Sequence, residues 1–321
     1  MKIVDFTSAH IEQAEQIAKQ NYEEERRFVS ALPPVDAIPD LAQYVENGLG
    51  VAAFEDDTML GYLCAVGPFN NAFGSTEATG VFSPMGAHGA TLDCRADIFA
   101  RLYQAAGEKW VRAGASSHAI CLYVHDREAQ DQFFRYGFGI RCIDAIREMD
   151  EIATPLPCGY TFNTVTLDDA ITVLPLDNLL DHSYSDSPFF MFRDGHSEEE
   201  WLAYWKKSNP TCFVAYCDGK AISFILAELD GETFVQETTG YQHITGLYCL
   251  PEHRGKGVSK KLLNLLIQHL KADGYTRLGV DYESFNASGS GFWQKYFTAY
   301  THSVVRRIDE HALTVYSEII A

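Results

Sequence analysis

The stretch Ile244-Thr245-Gly246-Leu247-Tyr248-Cys249-Leu250-Pro251-Glu252-His253-Arg254-Gly255-Lys256-Gly257-Val258-Ser259-Lys260-Lys261-Leu262-Leu263 decides how this chain is read. It begins as an apolar strand and stops at Pro251. Two glycines follow, beside Arg254 and Lys256. A helix comes next, with Val258, Leu262, Leu265 and Leu266 spaced along one face. Physically this is an anion site. Glycines let backbone N–H groups converge on a phosphate with no Cβ in the way. The positive end of the helix dipole points at the same place. Arg254, Lys256, Lys260 and Lys261 add charge.

That charge stands out because the rest of the chain is acidic. The 321 residues carry a net charge of -19, with 46% hydrophobic and 21% charged residues. This is an ordinary soluble, globular composition, and the length fits two domains. Nucleic acid and anionic membrane both need a basic face, so neither is expected as a partner. A cationic or amine-bearing partner would be steered toward such a surface. No apolar run approaches the ~18 residues of a membrane span. Met1 to Phe6 reads as a strand and not as a leader. None of the eight cysteines forms a Cys-x-x-Cys pair. Buried, reduced thiols of a cytoplasmic protein are expected, with no metal site.

Which phosphate group fits is narrowed by spacing. No Gly-x-x-x-x-Gly-Lys-Ser/Thr occurs, so this is not a P-loop. A dinucleotide fold is a rival, because Gly255-x-Gly257 precedes a helix and a strand ending near Asp281. The third glycine position is Lys260, too bulky for the close helix–strand packing that fold requires. Hairpins before the motif also imply an antiparallel sheet.

The chain repeats itself. In the first half, strands are expected at residues 3–6, 50–54, 59–66, near Phe82, at 117–124 and at 140–148, with helices at 9–27, 97–112 and 128–136. In the second half, strands are expected at 160–164, 212–217, 221–228, 244–250, 278–282 and 302–308. Helices are expected around 171–180, 198–206, 257–272 and 290–296. Thr154-Pro155-Leu156-Pro157 joins the halves, and its prolines favour an extended linker. Two α+β units of similar order follow, 1–153 and 158–321, each a mixed, mostly antiparallel sheet flanked by helices.

With these residues in place, the second half resembles the GNAT superfamily of acetyl-CoA-dependent N-acetyltransferases. The signature after the fourth strand of that family is Arg/Gln-x-x-Gly-x-Gly/Ala, here Arg254-Gly255-Lys256-Gly257-Val258-Ser259, with Ser in the last place. A later element, Asn-x-x-Ala-x-x-Leu-Tyr-x-Lys-x-Gly-Phe, resembles Asn286 to Phe297. Asn286 and Lys295 match, and Trp293 replaces the tyrosine often used as the acid. The resemblance covers roughly residues 160 to 310. It implies acetyl-CoA as cosubstrate and a small-molecule or peptide amine as acceptor. It also implies direct attack in a ternary complex without an acyl-enzyme.

The cofactor-binding residues implied are Leu247, Tyr248, Cys249 and Leu250 on the strand, Arg254 to Lys260 on the turn and helix, and Asn286 and Trp293. Chemistry of this kind needs a base, an oxyanion donor and an acid. Glu283 and Asp281 at the end of the fifth strand, Glu237 and Tyr248 are candidates for the base, and Tyr296 for the acid. The aromatic group Tyr184, Phe189, Phe190, Phe192, Trp201, Tyr204 and Trp205 is read as acceptor pocket or as core. The first half resembles the same fold with a degenerate loop. Its equivalent, Ser83 to Cys94, has no Arg or Lys between the glycines, and one CoA per chain is expected. A competing class is a module that binds or senses acyl-CoA without turning it over.

Overall fold

A computed structural model describes residues 1–74, 77–229, 231 and 233–314. Its two compact units are not contiguous in the chain. One contains Met1–Asp144, Tyr282–Ser284 and the segment from Thr298 onward; the other contains Ala145–Asp281 and Phe285–Phe297.

Unit 1 opens with β1 (Lys2–Asp5) and the helix α1 (Ile11–Arg26). β2 (Val51–Glu55) and β3 (Thr58–Leu63) form a hairpin with a bulge at Ala53/Phe54. β4 (Val66–Phe69) pairs with β5 (Gly80–Ser83), and β6 (His88–Ala90) pairs with β3. α2 (Arg95–Arg112) follows, then β7 (Ser117–Tyr123), α3 (Arg127–Arg135) and β8 (Gly139–Glu148). α2 forms because Ile98, Phe99, Leu102, Tyr103, Ala106 and Trp110 make one apolar stripe, fully or nearly buried. Gly114, at φ +88°, ends it.

Unit 2 has β9 (Thr161–Val165), α4 (Leu174–Ser183) and α5 (Glu198–Ser208). β10 (Thr211–Cys217) and β11 (Lys220–Glu228) form a hairpin with a bulge at Ala215/Tyr216, in the register of the β2–β3 hairpin. β12 (Tyr241–Cys249), α6 (Val258–Ala272), β13 (Arg277–Glu283), whose last two residues fall in unit 1, and α7 (Ala287–Trp293) complete it. β9, β10, β11 and β12 are antiparallel neighbours, and β12 runs parallel to β13. Val165, Leu176, Trp201, Trp205, Val214 and Phe224 form its core on the α4–α5 side.

The last elements, β14 (Thr298–Ala299) and β15 (Thr301–Arg307), return to unit 1. β15 pairs antiparallel with β7 from Thr301↔Tyr123 to Arg307↔Ser117. Its other edge pairs with β8. Val304 is fully buried in the unit 1 core, beside Ile120 and Phe138. The repeat of element order expected from the sequence is present, but the final strand of the second repeat completes the sheet of the first.

The expected helix at 290–296 lies earlier, at Ala287–Trp293, because the Asn286 side chain caps it by accepting from Gly289 N–H at 2.8 Å. All eight cysteines are free. No helix among the described residues is long and apolar enough to cross a membrane.

Candidate functional site

The parallel pairing of β12 with β13 ends at Ile244↔Val280, although β12 continues to Cys249 and β13 to Glu283. A bulge between Leu226 and Ala227 of β11 leaves Thr245 of β12 unpaired and bends the strand there. The two parallel strands therefore splay. Leu250 N–H donates to Ile222 O at 3.0 Å, and the Tyr248 carbonyl accepts from Ser223 Oγ at 2.6 Å. By strand alternation, the backbone groups of Leu247 and Cys249 point away from β11, into the opening.

The turn at the end of β12 is built for close approach. Gly255 has φ +72° and Gly257 φ +81°, both in the left-handed region that glycine tolerates. A Cβ on Gly255 would meet nothing within 4 Å, and one on Gly257 would meet only Pro157 Cγ at 3.9 Å. The glycines are thus not demanded by packing; they leave the amide surface bare at the start of α6. Gly255, Lys256 and Gly257 are exposed, while Ser259, Lys260 and Lys261 are half-buried and Val258 is buried. The Arg254 side chain turns back: Nε donates to Cys249 O at 2.9 Å, and the guanidinium lies 5.5 Å from the Tyr248 ring centre. Burial raises the Cys249 thiol pKa, so the thiol stays protonated. His253 Nδ1 is 3.0 Å from the Tyr160 hydroxyl, which anchors the turn to the chain ahead of β9.

A second set of polar groups sits where the strands part. His243 opposes Gly279 in the register, so Tyr241, His243, Gly279 and Asp281 share one sheet face. The Tyr241 hydroxyl is 3.0 Å from His243 Nδ1, and His243 Nε2 is 2.8 Å from Asp281 Oδ1. His243 is fully buried; the Asp281 side chain keeps 34% exposure. Gly279 makes the arrangement possible, because a Cβ there would overlap the Tyr241 hydroxyl. Burial alone would raise the Asp281 pKa, but the His243 hydrogen bond and the charges of His243 and Arg193 outweigh it, so the carboxyl titrates below its ordinary range. Glu228, opposite His243 on β11, accepts from the Tyr204 hydroxyl at 2.8 Å.

α4 adds Asp177 and Asp181, one turn apart on the same face. His196 Nδ1 lies 3.1 Å from Asp177 Oδ2 and 3.9 Å from Asp181 Oδ2. Burial, then the Asp181 charge, push the Asp177 carboxyl up to about 6, against the pull of His196 and Arg193. Arg193 stacks on Tyr184 at 3.9 Å, and Phe190 and Phe192 beside it are exposed. Phe189 packs on Phe285 at 5.7 Å. Trp201 and Trp205 are core residues, so the aromatic group divides into core and surface.

The other expected residues are placed as follows. Glu283 is buried, its Oε2 3.7 Å from Arg141 Nε, which favours a structural role. Trp293 is buried, its ring against Phe292 and Phe297. Asn286 is occupied as the α7 cap, while Tyr296 is half-buried with its ring on Phe292 at 5.2 Å. Glu237 is exposed at the end of a 3-10 turn. His243 and Gly279 had no signal in the sequence: the pairing that joins them spans two strands far apart in the chain.

Residues 177–297 match the model of the acetyltransferase (GNAT) family. No curated protein matches the chain. Among solved structures, a GCN5-related N-acetyltransferase from Sphaerobacter thermophilus is similar with a TM-score of 0.58 at 12% identity, over 95% of each chain. The GCN5-related glucosamine N-acetyltransferase region of a fungal multi-domain GH3 beta-N-acetylglucosaminidase gives 0.50 at 11% identity, over 95% of this chain and 38% of that one. A tandem GNAT protein from the clavulanic acid biosynthesis pathway gives 0.47 at 11% identity, over 95% and 98%. At such identities the likeness is one of fold. Residues 177–297 thus match the acetyltransferase (GNAT) family, within a chain whose fold is similar over its length to that of a GCN5-related N-acetyltransferase.

Proposed function

We propose that the chain moves an acetyl group from acetyl-CoA to a primary amine, carried by a small molecule or a peptide, by direct attack in a ternary complex. The observation that carries this is the turn Arg254–Gly257, with two left-handed glycines opening α6 at the mouth of the β12–β13 splay. The amides of Gly255 to Lys260 take the pyrophosphate, with Lys256 and Lys260 supplying charge. Arg254 acts mainly by closing the turn onto Cys249. The backbone edge of Leu247 and Cys249 takes the amides of the pantetheine arm. We read residues 1–153 and 158–321 as two ancestral repeats, the second carrying the cofactor.

On the acceptor side, Asp281 is ionised, partly exposed and held by His243, which suits it to draw in an ammonium group. The Asp177 carboxyl, with a pKa near the working pH, is better matched to take the proton the amine sheds. The amine nitrogen then bonds the thioester carbon, the C–S bond breaks, and Tyr248 or Tyr296 protonates the leaving thiolate.

A panel of primary amines with acetyl-CoA, read by free thiol, tests the proposal. A second reading, acyl-CoA binding without turnover, has one observation in its favour: the carboxylate nearest the end of β13, Glu283, is buried against Arg141. CoA affinity without thiol release across the panel selects that reading.

A further inference from the structure

Unit 1 keeps the outline of a cofactor cleft. β5 and β7 are parallel as far as Ser83↔Ile120; then β7 continues to Tyr123 while β6 pairs with β3. The hairpin registers align the two units residue by residue. Ala90 opposes Gly61 as Cys249 opposes Ser223. Thr91 N–H donates to Leu60 O at 2.8 Å, as Leu250 N–H does to Ile222 O at 3.0 Å. Ala90 therefore stands where Cys249 stands. Counting on equally from each, Arg95 stands where Arg254 stands. Both arginines bond the carbonyl in question: Arg95 Nη2 donates to Ala90 O at 3.0 Å, and Arg254 Nε to Cys249 O at 2.9 Å. The first repeat thus retains its arginine, one residue beyond the stretch Ser83 to Cys94.

What surrounds that arginine differs. In unit 2, residues 250–257 separate strand from helix and include both left-handed glycines. In unit 1 only residues 91–94 do so, and α2 opens at Arg95 itself. Arg95 is 5% exposed, with Nη2 2.8 Å from Glu24 Oε2 and Nη1 3.2 Å from Asp126 Oδ2. Asp126 caps α3 as the neutral Asn286 caps α7. The N–H and C=O of Ala90 point away from β3, and the Asn21 carboxamide takes both: Oδ1 accepts from Ala90 N–H at 3.1 Å, and Nδ2 donates to Ala90 O at 3.0 Å. Glu25 reaches the other arm. Its carboxylate accepts from His125 N–H at 3.0 Å and meets His125 Nδ1 at 2.8 Å. Asn21, Glu24 and Glu25 lie at helical spacing on one face of α1.

We propose that α1 is a built-in occupant of this cleft. Asn21 fills the strand edge that would receive a ligand amide, Glu24 and Asp126 neutralise the arginine that would face a phosphate, and Glu25 fastens the β7 arm. Unit 1 then binds no acyl-CoA and serves as a closed scaffold. The reading of unit 2 enters only as the open counterpart.

Calorimetric titration of CoA into the full-length wild type and Gly257→Val chains tests this. The expected result is one CoA for the wild type and none for the variant. Two CoA in the wild type, or one in the variant at unchanged affinity, overturns the closed cleft. No binding in either chain sinks the reading of unit 2 and leaves the closed cleft supported. Hydrogen exchange at the Ala90 amide is the second measurement. Asn21→Ala should speed it about tenfold, the loss of one net hydrogen bond. Asn21→Asp, which keeps the acceptor, should leave it slow. An unchanged rate in Asn21→Ala overturns the clasp.

Discussion

Gly257 and Asp177 show how differently single residues can be constrained. Gly257 has open space around it, so a side chain there would meet only the cost of a left-handed backbone, about 1–2 kcal/mol. The bare amide surface is what a cofactor phosphate would need. Gly257→Val should therefore keep its far-UV spectrum and lose CoA affinity by at least about tenfold, as seen by calorimetry. Asp177 is constrained by its neighbours' charge and by burial. Its folded pKa of about 6 lies above the ordinary 3.8. A raised carboxyl favours the folded state below its unfolded pKa and loses that advantage as pH rises through the folded value. The deficit is absent below about pH 3, grows to about pH 6 and is complete above it, at roughly 3 kcal/mol. Asp177→Asn should be more stable than wild type by about 2 kcal/mol at pH 8 and by much less at pH 4. Urea midpoints at the two pH values check this, and an equal effect at both would contradict it.

At the scale of elements, the splay of β12 from β13 is the structural event on which the site depends. It follows the bulge at Thr245. Gly279 leaves room for the Tyr241 ring, which holds His243 against Asp281. Gly279→Ala forces a buried aromatic out of place and should cost about 1–3 kcal/mol. It should also release Asp281 from His243 and raise the carboxyl pKa, a shift readable by carbon NMR of the labelled side chain. An Asp281 pKa unmoved in Gly279→Ala would show that Tyr241 does not position the pair.

For the whole molecule, the return of β15 to unit 1 dictates what can fold alone. β7 and β8 do not pair with each other along β15; each uses an edge of that strand, and Val304 fills the core between them. A fragment of residues 1–153 lacks this strand. It should stay molten, exposing apolar surface, and a peptide of residues 298–314 added in excess should restore cooperative unfolding. Cooperative unfolding of 1–153 without the peptide would refute the dependence. The same topology predicts that residues 158–321 expressed alone carry β15 with both edges unpaired and Val304 uncovered, and aggregate.

What the sequence determined by itself was local. The glycine turn, its basic residues and the apolar stripe of α6 lie within one continuous stretch, so the turn and the helix it opens were legible there. Helix stops at Gly114 and Gly274 and the two hairpins were legible for the same reason: their causes are neighbours in the chain. Only the tertiary structure decided which strand completes which sheet, because β15 satisfies any antiparallel edge of suitable pattern and its choice depends on packing at Val304. Tertiary packing also turned Trp293 and Glu283 inward, since an apolar or charged residue near a motif has the same signature buried or exposed. The pairing of His243 with Asp281 across Gly279, and of Asn21 with Ala90 across the β6 edge, depends on backbone register. Register brings together residues that no spacing in the sequence relates, so these contacts exist only once the strands are laid side by side.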